Sequence, residues 1–137
     1  MTHRRQEIRA AVVEILKAAV PHGCAVVRTR TRPTQANELP TVLVYMIRET
    51  SETSTLRGRL DRTASLLIEI RCAATVDLDD RIDALCEIVE GAMAAVGSFG
   101  RLALHSFLAS TNIGLDGEGE SRQGVAILEY SVTYRTP

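Results

Sequence analysis

Chemistry in a small protein starts with its histidines, cysteines and carboxylates, and in this chain they are scattered. His3, His22 and His105 lie far apart, and none stands at metal-ligand spacing from another histidine or from a cysteine. Cys24, Cys72 and Cys86 are odd in number, widely spaced and set among apolar neighbours, so they read as reduced core residues. Asp79, Asp83, Glu87 and Glu90 recur at helical spacing but lack a histidine partner, which makes a solvated helix face the simpler reading than a metal row. Asp116, Glu118 and Glu120 alternate with glycine like part of a calcium loop, without the remaining ligands or the flanking helices of an EF-hand. There is no nucleophile elbow, no Walker A loop and no dinucleotide fingerprint. Catalysis can be assembled from residues distant in sequence, so these absences weigh against an enzyme without abolishing one. No catalytic, metal or cofactor-binding residue is expected.

Charge narrows the partners. Sixteen basic residues against seventeen acidic leave a net charge of −1, which gives no global field for nucleic acid or an anionic membrane. Sequence-specific nucleic acid and membranes are therefore not expected partners. With no Trp, three Tyr and two Phe, stacking platforms for sugars or single strands are also disfavoured. Lys17 is the single lysine, so the cations are nearly all arginine, a bias that suits interface ion pairs and that a GC-rich genome also produces. Arg28, Arg30 and Arg32 alternate with Thr29 and Thr31, which lines three guanidiniums along one side of an extended segment. Such a row either protects a solvated edge strand or faces a partner's acids or phosphates. No charged start followed by an apolar stretch and no membrane-length apolar run is present, so the protein is expected to be made and kept in a cytoplasm.

The elements that must carry these residues follow from apolar spacing. One domain is expected from 137 residues. Ile8, Val12, Ile15, Leu16 and Ala19 form a helical stripe that Pro21 and Gly23 end near Val20, and Cys24 to Arg28 reads as a short strand. The continuous apolar run Val42–Ile47, entered through Pro40, predicts a central strand covered on both faces. A polar stretch over about residues 50–62 predicts a long contact loop. Beyond it, Ala64, Leu66, Ile68, Ile70 and Cys72 alternate with more polar neighbours as a strand paired antiparallel to the central one. Asp77 predicts a side-chain cap for a second helix whose stripe runs Leu78, Ile82, Leu85, Val89, Ala92, Met93, Val96 and stops at Gly97. A strand is expected from Leu102 to about Ala109, then a mobile loop or extended hairpin arm over 110–124 carrying Gly114, Gly117, Gly119 and Gly124. A last strand follows, with Ala126, Leu128, Tyr130, Val132 and Tyr134 on its dry face. The fold class is α+β: a mixed, mainly antiparallel sheet of about five strands packed with two helices.

Five stretches in this order, IRAAVVEIL, ELPTVLVYMIRE, LLIEIRC, LDDRIDALCEIVEGAM and LEYSVTY, span nearly the whole chain. In their order and spacing the chain resembles the tail terminator family of long-tailed bacteriophages, of the lambda minor tail protein U type. The resemblance implies a structural virion protein of the tail, assembled in the host bacterial cytoplasm. It implies a homohexameric ring that caps the tail tube protein, stops polymerisation and joins the head-tail connector protein. A heterologous ring contact requires two different complementary patches on each subunit. The charges available for them are Arg28, Arg30, Arg57, Arg59 and Arg62 against Asp116, Glu118, Glu120 and the acidic face of the second helix. The arginines of the 50–62 stretch depart from the more acidic character expected of lambda-like relatives. The alternatives are another neck or tail completion protein, or a small prophage-encoded enzyme or ligand-binding domain with a deep apolar pocket.

Overall fold

The computed structural model describes residues 3–28, 40–53, 58–74, 76–116 and 122–136. Helix α1 (Arg4–Ala19) buries Ile8, Val12, Val13 and Leu16. His3 caps its start, the ring nitrogen Nδ1 accepting from the Arg5 backbone N–H at 3.1 Å. The short strand β1 (Ala25–Val27) pairs parallel with β2 (Thr41–Thr53), which pairs antiparallel with β3 (Leu60–Ala74). Helix α2 (Leu78–Ala95) follows, and then β4 (His105–Asp116) and β5 (Arg122–Thr136) form an antiparallel hairpin. Among the described residues the strand order is β1-β2-β3-β5-β4. This is the expected α+β domain of two helices on a mostly antiparallel five-stranded sheet.

Both helices lie on one face of the sheet, α1 against β1 and β2, α2 against β3 and β5, and they touch each other. Under them, alternate residues of the strands are withdrawn from water: Val42 and Val44 on β2, Leu66, Ile68 and Ile70 on β3, and Leu128, Val132 and Tyr134 on β5. Burial of this apolar face is the main driving force for the fold.

Four expectations are corrected. The apolar run in β2 is not at the centre of the sheet; β3 is, and β2 stands one place out. The stretch 50–62 is not a long loop, because Thr50–Thr53 pair with Thr63–Leu60 and extend the β2–β3 hairpin past the helices. Water reaches both faces of that arm, so it shows no apolar alternation to read. The fourth strand starts at His105, not Leu102, and runs to Asp116, so much of 110–124 is hairpin arm. Leu102–Leu104 instead form a turn that buries Ala103 and anchors through the Leu104 N–H to the Thr133 carbonyl at 2.7 Å. Lastly, Asp77 stands at the N-cap of α2 with a left-handed backbone (φ 59°), and its side chain makes no capping hydrogen bond.

Candidate assembly interface

Glu49 gathers the densest polar cluster among the described residues. Its Oε2 accepts from Arg5 Nη1 and from Arg62 Nη1, each at 3.0 Å, and its Oε1 accepts from the Tyr134 hydroxyl. Arg62 also donates from Nε to Thr136 Oγ1 at 3.0 Å, and the His3 ring meets Tyr134 edge-on. Burial pushes the Glu49 carboxyl up, but the Tyr134 and Arg62 hydrogen bonds and the Arg5 charge outweigh it and hold it below its usual value. The Tyr134 phenol is pushed the other way, by burial first and then by the Glu49 carboxylate. The cluster ties α1, β2, β3 and β5 together where the hairpin arm leaves the body.

A groove of about 310 Å³ opens beside it, between His3–Arg9 of α1 and Met46–Glu49 of β2. It lies along the part of the β2 edge that β1 leaves uncovered, since β1 pairs no further than Leu43. Arg9 and Arg48 line it, and neither meets a carboxylate within salt-bridge distance among the described residues. Ile47 stands out of the β2–β3 register there, at a bulge between Met46 and Arg48, and is 52% exposed.

At the other end of the sheet, β4 is the edge strand. Phe107, Ile113 and Leu115 are exposed on it, an uncommon density of large apolar side chains for an open edge. A second groove, of about 210 Å³, runs between β4 and the last turns of α2, lined by Glu90, Met93, Phe107, Leu108 and Tyr130. Asp79, Asp83 and Glu87 are exposed on α2.

Of the residues singled out from sequence, Arg28 is exposed just after β1, on the same edge as Arg48. Arg59 is exposed just before β3. Arg62 is half-buried and spends its guanidinium inside the subunit, on Glu49 and Thr136, so it is a fold residue rather than a free surface charge. Asp116 is the last residue of β4. Arg30, Arg57, Glu118 and Glu120 lie outside the described residues. Sequence reading missed Glu49, Arg9 and Arg48, whose roles come from the meeting of α1 with the β2 edge.

Nothing else in the described residues assembles a reaction centre. Glu69, buried on the face away from the helices, accepts from the Tyr45 hydroxyl at 2.8 Å and from Arg71 Nε, so its carboxylate is satisfied. Cys72 and Cys86 are buried free thiols, and burial pushes Cys86 up to about 11, far from a reactive thiolate. No group of three or more His, Cys, Asp or Glu among the described residues could hold a metal ion, and no described helix is long and apolar enough to cross a membrane.

A protein-family model described as phage minor tail protein U matches residues 3–134. Comparison with curated proteins finds no match. Among solved structures, a chain from the "Virion of native gene transfer agent (GTA) particle" is similar at 10% identity and a TM-score of 0.37, with 95% of this chain and 91% of that chain covered. A likeness that distant carries no argument.

Proposed function

The chain belongs to the phage minor tail protein U family, and from that premise we propose that it forms a hexameric ring that caps the tail tube. As a structural tail protein it associates with other virion proteins. In the proposed role the ring ends polymerisation of the tube and offers its other face to the head connector. The observation that carries this reading is the family match across residues 3–134, which takes in both helices and nearly the whole sheet.

The reading assigns the two helices and the sheet to scaffold and the hairpin arms and edges to contacts. The β2–β3 arm extends beyond the helix-covered core, where a tube end or connector can reach it without disturbing that core. A heterologous contact whose rotation closes gives a ring with two unlike faces, as a cap between tube and head needs. Native mass spectrometry across a range of concentrations, with and without magnesium, tests the ring. Closed hexamers are expected, and a dimer at every concentration with no higher state would overturn it.

A further inference from the structure

The two open edges of the sheet are matched in height. Following the ladder across the strands, Met46 on β2 stands level with Leu66, Tyr130 and then Leu108 on β4. One step on, Arg48 stands level with Ser65, Ser131 and Phe107. The groove carrying Arg9 and Arg48 and the groove carrying Glu90 and Phe107 are therefore at the same level on opposite ends of one molecule.

What stands at those ends is complementary. The β2 end presents Arg9, Arg28 and Arg48, with the exposed Ile47 at its bulge. The β4 end presents Glu90 and, one turn earlier on α2, the exposed Glu87, with Phe107 56% exposed beside them. β2 and β4 run antiparallel, so a copy brought alongside by rotation about an axis along the strands meets β2 with β4 in antiparallel sense. Helix α2 of that copy then comes beside α1, continuing the helix layer as well as the sheet.

We propose that the partner at the part of the β2 edge that no described strand covers is a second copy of this chain. The His105–Thr111 part of its β4 adds to the sheet beyond Leu43, its Phe107 packs on Ile47, and its Glu87 and Glu90 face the groove that Arg9 and Arg48 line. Backbone ladder bonds supply the pairing, the apolar pair drives the contact, and the charges fix register and exclude other edges. The contact is heterologous, and each copy keeps its other end free for the next. This inference rests on the ring reading and specifies which surfaces make the ring.

The test uses two charge-reversed chains, Arg9→Glu/Arg48→Glu and Glu87→Lys/Glu90→Lys, followed by native mass spectrometry alongside the unaltered protein. Each reversed chain alone sets like charges against each other and should lose assembly, with the dissociation constant raised at least about tenfold. An equimolar mixture should recover it, because each chain now complements only the other; the recovered rings alternate strictly and so contain equal numbers of both. Matching circular dichroism spectra and melting temperatures exclude misfolding, and recovery in the mixture requires folded partners. If the unaltered protein assembles and both reversed chains assemble equally well, this interface is wrong while the ring stands. If the unaltered protein stays monomeric at every concentration up to millimolar, self-pairing through these edges is overturned, and the capping role is judged separately on tail length.

Discussion

The hydroxyl of Tyr134 on β5 donates to the carboxylate of Glu49 on β2, reaching across β3, the strand that lies between them. Three strands are thereby tied at the point where the long hairpin arm leaves the helix-covered core. Because Arg5 and Arg62 share the same carboxylate, removing its charge strands two guanidiniums at once. Glu49→Gln should therefore cost about 2 kcal/mol, in the range for charge-assisted hydrogen bonds in a part-buried setting. Thermal unfolding should show a melting temperature lower by roughly 5 to 10 °C. An unchanged melting temperature would reduce the cluster to a surface ornament.

The same pair sets two pH limits. Glu49 is held below its ordinary value of 4.5, so its stabilisation is complete above that pH and is lost as pH falls through its lowered folded value. Tyr134 is held above its ordinary value of 10.0, so its contribution is complete below that pH and declines as pH rises toward its raised folded value. Urea titrations at several pH values should show the stability gap between the unaltered protein and Glu49→Gln closing in acid. The gap to Tyr134→Phe should close above pH 10, and gaps that do not vary with pH would contradict the assignment.

Gly124 is fixed by space rather than by backbone freedom. A methyl group added there would come within 2.2 Å of Ile82 Cδ1 and 3.3 Å of Leu78 Cγ, under α2. Gly124→Ala should destabilise by about 1 to 3 kcal/mol as an overpacked core. Ile82→Val removes the obstructing carbon and should recover part of that loss, so a double-mutant cycle should give a coupling well away from zero. Strict additivity would mean that α2 does not press on the strand at this point.

Elements with one dry and one wet face could be read from sequence, and elements wet or dry on both sides could not. The alternation of β3 from Ala64 to Cys72 and the stripe of α2 from Leu78 to Met93 gave their faces directly, because burial follows the period of each element. The arm strands Thr50–Thr53 and Leu60–Arg62 are held by backbone pairing and by exposed polar partners such as Asp61 with Arg135, which leave no periodic trace. Gly124, one of four glycines suggesting a mobile loop or an extended hairpin arm, is a packing glycine within β5. Which of the charges proposed for contacts face outward depends on the fold. Arg28 is exposed just after β1, whereas Arg62 is turned inward, a distinction only the fold makes.

Phe107 separates assembly from stability. With more than half its surface in water, it adds little to the subunit's own core, so Phe107→Ser should leave the melting temperature within about 1 °C of the unaltered protein. Ile68→Ala, at a fully buried site on β3, should by contrast lose about 3 kcal/mol. Analytical ultracentrifugation of Phe107→Ser should show weakened self-association in an otherwise folded chain. Equal assembly of the two proteins would remove Phe107 from the contact.

If this chain ends growth of the tail tube, as proposed, tail length shows it. Tails assembled in cells carrying the phage tail genes, with or without an intact copy of this chain, can be imaged by electron microscopy and measured. Tubes of overlong, scattered length that fail to join heads are expected when the chain is missing, and one sharp length with joined heads when it is restored. Tails of normal length that join heads normally in its absence would contradict it.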